Sequence, residues 1–198
     1  VSQLYIYGQS DNNGVYVKDG HIAKIDYPLY EKALQSAVRK YDSIYRKYIE
    51  GTNASVYHSV IPDKSFFLSQ ANGYPSYDYN EMTVFLQDNL KQMEYIDITD
   101  LLSAEDFYYT DTHWRQECIK DVAGRLGEKM GVLLTDDYVQ VESKESFYGV
   151  YYGQLGLPME ADRIIYLEHE DFAECTIISH ETGKEIPMYD LAKAKGRD

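Results

Sequence analysis

One apolar stripe runs the length of residues 28–49, PLYEKALQSAVRKYDSIYRKYI. Apolar side chains recur there every three or four residues, and charged residues fill the positions between them. This spacing places the apolar residues on one side of a helix, so it predicts a single amphipathic helix. Pro28 suits the first helical turn, where a missing N–H costs little. The stripe consists of Tyr30, Leu34, Ala37, Tyr41, Ile44 and Tyr48.

Strand-like and helix-like segments alternate around this helix. An Asp-Gly turn predicts a hairpin at 14–26, and Pro62 ends a β-branched strand. The predicted order is the hairpin, the helix, a strand at 54–62, a tyrosine-rich loop, a helix at 80–93, a strand at 95–98, a loop at 107–114 and a helix at 116–131. This alternation predicts an α/β fold with a mainly parallel central sheet flanked by helices. Beyond residue 131, two segments at 163–169 and 172–190 resemble edge strands.

Composition narrows the partners of the chain. The net charge of -14 repels phosphate backbones and anionic lipids, so no nucleic acid partner is expected. The 198 residues, 44% of them hydrophobic, suit one domain over 1–198. The 21 tyrosines suit wet interfaces and sugar contacts. The sequence begins VSQLYIYG without Met and holds no apolar run long enough to span a membrane, so we expect a removed leader or anchor.

The segment FYYTDTHWRQE, residues 107–117, contains the candidate catalytic residues. Asp111 and His113 are two residues apart, and in an extended segment such residues share a face. The carboxylate would then fix the imidazole tautomer and leave the other ring nitrogen as a base. A Ser, Thr or Cys nucleophile must come from elsewhere.

Two other interpretations of this segment remain open. Asp111 would cap the following helix while His113 packs against Trp114, a purely structural role. Alternatively, Asp111 and His113 would bind a metal in a metal-dependent hydrolase. That site needs further ligands, and His58 is the one histidine whose strand would neighbour the 95–98 strand.

YTDTHW, followed by a helix, resembles the Asp-x-His-Trp signature of the DHHW family and of SGNH-hydrolase-like domains related to alginate O-acetyltransferases. The hairpin, the long helix, VIPDK at 60–64 and SFYGVYYGQLG at 146–156 agree with it in order. Thr112 stands where the DHHW name has its first His, which favours the acetyltransferase-like domains.

The resemblance implies an SGNH, flavodoxin-like domain in which Asp111 orients His113 as general base. Trp114 would wall the pocket, with support from Thr110 and Thr112. The family's nucleophilic Ser follows the Asp-His pair at a distance, in an Asp-Ser context that does not occur after His113 here. We therefore expect a domain truncated at both ends and inactive by itself, with no metal or organic cofactor.

A second candidate nucleophile is Ser10. LYIYGQSDNNG, residues 4–14, resembles the strand-Gly-Asp-Ser start of ordinary SGNH esterases, although Gln9 replaces the Asp. With Ser10 the chain would hold all three catalytic groups.

The function implied by the resemblance is an extracytoplasmic acyl esterase or O-acetyltransferase acting on cell-envelope or secreted polysaccharide. It would be membrane-anchored through a segment absent from this chain and would receive its acyl group from a membrane partner. The alternatives are a non-catalytic glycan- or protein-binding cell-surface domain and a metal-dependent hydrolase.

Overall fold

The structure is a computed structural model that describes residues 11–135 and 137–189. These residues divide into two compact units. The first unit takes in positions up to 22 and from 105 onward, and the second spans 23–104. The single truncated domain expected over 1–198 stays a prediction.

The first unit begins with a hairpin of β1 (Val15–Lys18) and β2 (His21–Lys24), the latter running on into the second unit. Asp19 and Gly20 form its turn with φ of 49° and 84°, which confirms the predicted Asp-Gly turn. Val15 and Ile22 are fully buried in the core of this unit. The same core contains Tyr151 and Leu155, which come later in the chain.

The rest of the first unit contains one long strand pair. A 3-10 turn (Gln116–Cys118) leads into α4 (Lys120–Lys129). The elements that follow are β5 (Val139–Phe147), α5 (Tyr152–Leu155), β6 (Asp162–Glu168), a second 3-10 turn (Glu170–Glu174), β7 (Ile177–Ile178) and β8 (Glu185–Ile186). β5 pairs antiparallel with β6, and β7 pairs antiparallel with β8. The predicted helix at 116–131 is therefore broken at Ile119, while the strand predicted from 163 is confirmed.

The second unit contains three of the five α-helices in the described residues. Its elements are α1 (Glu31–Tyr48), β3 (Tyr57–His58), α2 (Lys64–Asn72), α3 (Tyr79–Asn89) and β4 (Glu94–Tyr95). Asp63 accepts the Ser65 N–H and so caps α2, a helix that the sequence analysis missed. Asp78 caps α3 in the same way through the Glu81 N–H.

The mixed α/β class is confirmed, but the mainly parallel central sheet is not. The strands of the described residues form four two-stranded sheets, of which β3–β4 is parallel while β5–β6 and β7–β8 are antiparallel. Beyond this pairing, the Ile96 carbonyl accepts the Ser59 hydroxyl at 2.7 Å, and the Asp97 carboxylate accepts the Thr99 N–H. Among the described helices, none has the length and apolar character to cross a bilayer.

Helix α1 forms where its periodicity predicts, but it starts at Glu31 rather than at Pro28. Its stripe is largely exposed: Tyr30 is 69% exposed and Tyr48 66%. The predicted helix is therefore confirmed, and its apolar stripe lies largely at the surface.

Candidate active site

The site loop, residues 107–114, is closed at its base by backbone hydrogen bonds between its two ends. Phe107 and Trp114 form an antiparallel bridge, and the Tyr108 N–H donates to the His113 carbonyl at 3.1 Å. Just outside the bridge, the Arg115 N–H donates to the Asp106 carbonyl at 2.7 Å. The ends of the loop are thus fixed, and Asp111 lies near its tip.

Asp111 is a buried carboxylate, 6% exposed, with three hydrogen-bonding partners. Its Oδ1 accepts the His113 N–H at 3.0 Å, and its Oδ2 accepts the Val150 N–H at 2.9 Å. The bond to the backbone two residues ahead is an Asx turn. The Asp-His pair therefore arises from a turn, not from the extended segment expected from the sequence. Helix α4 has no side-chain cap, so Asp111 does not cap it.

The His113 ring lies against the Asp111 carboxylate. Its Nδ1 is 2.5 Å from the Asp111 Oδ1, while its side chain is 75% exposed. A carboxylate at Nδ1 favours the tautomer that carries its proton there. The opposite nitrogen, Nε2, is then the atom available to take a proton from a nucleophile.

The surroundings of Asp111 favour its charged form. Burial would raise the pKa of Asp111, but the Val150 N–H, the His113 N–H and the His113 ring together hold that pKa below its ordinary value. Asp111 is therefore a carboxylate at neutral pH, as an orienting group must be.

Among the predicted site residues, Asp111 and His113 are the two that the described contacts join as a carboxylate–imidazole pair. Thr110 is fully buried beside them, and its contacts lead away from the imidazole. Thr112 and Trp114 are both partly buried. A pocket walled by these three residues remains a prediction.

The sequence analysis missed two residues, Asp162 and Gly149, that bind the backbone and the Thr110 side chain of the site loop. Asp162 accepts the backbone N–H groups of Tyr109 and Thr110, and Gly149 donates to the Thr110 hydroxyl. Gly149 lies in the SFYGVYYGQLG segment quoted above. A glycine in such a segment can indicate a close approach of the backbone, so this signal was present in the sequence. No local pattern marks Asp162, because its partners lie 52 and 53 residues away along the chain.

A cleft of about 690 Å³ opens beside the site loop within the first unit. Tyr109, Arg115 and Asp162 line one part of it, with Met159 and Arg163 also at its wall. Tyr109 stacks on the buried His21 ring at 4.3 Å, which fixes its orientation. His113 is not among the residues that line this cleft.

A stacked aromatic pair lies on either side of Gly149 and Val150 in the chain. Tyr148 and Tyr152 stack with ring centroids 4.1 Å apart, and Tyr148 remains 51% exposed. The pair flanks Val150, whose N–H binds Asp111, so it belongs to the same segment as the Asp-His support.

The remaining candidate ligands and nucleophiles are dispersed. Within 11–135 and 137–189, no three His, Cys, Asp or Glu side chains are grouped to hold a metal. His58 packs instead against the Tyr95 ring, at 5.2 Å. Of the three serines that follow His113, Ser143 and Ser179 accept nearby backbone N–H groups through their hydroxyls. Ser10 lies outside the described residues.

The solved structures that resemble this chain include the following two. A DHHW family protein from Eubacterium siraeum shares 17% identity with a TM-score of 0.61, over 79% of this chain and 55% of that one. Bacillus cereus PatB1 with a sulfonyl adduct shares 12% identity with a TM-score of 0.66, over 92% of this chain and 68% of that one. No protein-family model and no curated protein matches the sequence. The chain spans about half the length of the DHHW family structure, and these likenesses show a shared fold.

Proposed function

We propose that this chain is part of an extracytoplasmic SGNH-like acyl esterase or O-acetyltransferase that acts on cell-envelope or secreted polysaccharide. Asp111 orients the imidazole of His113, and His113 is the general base. The proposal includes a membrane anchor and a membrane acyl-donor partner, both outside this chain.

The observation that carries the proposal is the contact of 2.5 Å between the Asp111 Oδ1 and the His113 Nδ1, combined with an exposed imidazole. A buried carboxylate with a lowered pKa holds one nitrogen and leaves the other toward solvent. This is the arrangement that nucleophilic acyl transfer requires of its base and orienter.

The shared fold supports the same chemistry. Both similar structures match more than three quarters of this chain, and one of them carries a sulfonyl adduct. Sulfonyl groups attach to activated nucleophiles, so a covalent mechanism is the natural class to test here.

The proposed reaction has two halves. The Nε2 of His113 takes the proton of a serine hydroxyl while the serine oxygen bonds to the acyl carbonyl carbon. The leaving oxygen departs with that proton, which gives an acyl-enzyme. Water or a sugar hydroxyl then attacks the ester, giving its proton to His113, and the serine oxygen leaves and regains a proton.

We place the nucleophile outside the described residues. The candidates are Ser10 and a serine beyond residue 198. Trapping decides between them: full-length protein is treated with an aryl sulfonyl fluoride, and the labelled residue is located by mass spectrometry of peptides. We expect one labelled serine, lost when His113 is replaced by Ala. Labelling that is absent, or unaffected by the His113 replacement, would contradict an activated serine.

A binding domain without chemistry is the second candidate. The exposed tyrosines of α1, Tyr41 at 49% and Tyr48 at 66%, favour an interaction surface on this helix. In that case glycan retention in affinity electrophoresis persists after replacement of His113, and no acyl-enzyme forms.

A further inference from the structure

We propose that Asp162 is a positioning residue that holds the Asp111–His113 pair in its working geometry through Thr110 and the Gly149–Val150 backbone. The role depends on the proposed function only in that the pair is taken to be the catalytic base and its orienter.

Asp162 receives three hydrogen bonds from the site loop. It is 3% exposed and accepts the Tyr109 N–H at 2.6 Å, the Thr110 N–H at 2.8 Å and the Thr110 hydroxyl at 2.5 Å. Three donors converging on one buried carboxylate satisfy a charge that would otherwise be costly to bury. The residue therefore fixes the backbone immediately before Asp111.

The Thr110 hydroxyl extends this contact to the other side of Asp111. While donating to Asp162, it accepts the Gly149 N–H at 2.7 Å. The next N–H along the chain, from Val150, donates to the Asp111 Oδ2 at 2.9 Å. One carboxylate thus orders both the loop that carries Asp111 and the segment that binds the Asp111 side chain.

The strand pair gives this arrangement its rigidity. Asp162 is the first residue of β6 and pairs with Phe147, the last residue of β5. Gly149 follows two residues after Phe147, so the acceptor and the donor segment leave the same end of one ladder. A shift of Asp162 would therefore change the position of the site loop relative to the Val150 N–H.

A carboxylate is needed at position 162 because every partner there is a donor. Asparagine at this position keeps the shape but offers one oxygen and an NH₂ group, which would face an N–H or hydroxyl donor. Asp162 binds backbone amides and a hydroxyl rather than the imidazole, so it acts through other residues.

The variants that test this proposal are Thr110→Val, Thr110→Ser and Asp162→Asn. Valine matches the shape of threonine but removes the hydroxyl that bridges Asp162 and Gly149, whereas serine keeps it. The readouts are the ¹⁵N shifts of the His113 ring, which report the tautomer, and the carboxyl ¹³C titration of Asp111. Ring spectra are taken at about pH 9, above the ordinary imidazole pKa of about 6.5.

We expect the wild type and Thr110→Ser to hold the His113 proton on Nδ1. Thr110→Val and Asp162→Asn should shift the tautomer population toward Nε2–H and raise the pKa of Asp111. Folded variants with a wild-type tautomer and Asp111 titration would overturn the proposal. Unfolding of both would also overturn it, because Asp162 would then maintain the fold rather than the pair.

These readouts need no substrate, so the positioning role of Asp162 and the proposed function are tested independently of each other. If full-length protein keeps its acyl turnover without His113 while Thr110→Val still moves the tautomer, the proposed function is wrong and the positioning role stands. If turnover requires His113 but Thr110→Val leaves its ring unchanged, the reverse holds.

Discussion

Gly149 lies so close to Asp111 that a Cβ built at position 149 would be 2.3 Å from the Asp111 Cβ. No side chain fits at that distance, so the segment after β5 can reach the Asp-His pair only through a glycine. The same approach brings the Val150 N–H to the Asp111 carboxylate.

Replacing Gly149 with Ala should destabilise the chain and displace Asp111. Overpacking of this kind typically costs about 1–3 kcal/mol, and the blocking atoms here include the Asp111 Cα and the Thr110 carbonyl oxygen. Urea unfolding followed by circular dichroism measures the loss. Gly153→Ala is the matched control, since nothing lies within 4 Å of its new Cβ and the residue is helical. Equal free energies of unfolding for the two variants would contradict the packing argument.

The stability of the chain should depend on the charge of Asp111 at acid pH. A carboxyl with a lowered pKa in the folded state stabilises the fold above its unfolded pKa, about 3.9 for Asp. That contribution is lost as the pH falls from there through the lower folded pKa. Wild type should therefore lose more stability than Asp111→Asn in that window, as measured by urea unfolding at a series of pH values. Parallel curves would refute a lowered pKa for Asp111.

The aromatic pair beside the site should contribute to glycan binding if the substrate is a polysaccharide. Tyr148 is half exposed and is held in place by stacking on Tyr152, so it presents an ordered apolar face. Tyr148→Ala should weaken retention in affinity electrophoresis several-fold. Tyr41→Ala, on the equally exposed stripe of α1, is the control and should leave retention unchanged. The opposite ranking would assign glycan binding to α1.

Local chemistry explains what the sequence predicted well. The Asp19-Gly20 turn requires positive φ at both residues, a property of the residues themselves. The proximity of Asp111 and His113 is also local, since the Asx turn joins residues two apart. The two side chains are in contact, but a turn brings them together and not the extended backbone assumed from the sequence.

Long-range contacts explain what the sequence could not predict. Asp162 reaches Thr110 across 52 residues, and an Asp at the start of a strand looks like any exposed acid until that pairing exists. The stripe of α1 shows the converse case: periodicity predicts a helix but does not supply a partner for it. The prediction of a mainly parallel sheet was not confirmed for a similar reason. Apolar runs predict extended backbone, but they do not predict which strands pair.

The central claim is that His113 is the base of an acyl-transfer reaction, and turnover of an acetyl ester by full-length protein tests it most directly. His113→Ala should lower kcat/KM by about a hundredfold or more, the usual cost of losing a general base. His180→Ala, an exposed histidine between β7 and β8, should retain the wild-type rate. A His113→Ala protein that turns over acetyl ester at the wild-type rate would contradict the account.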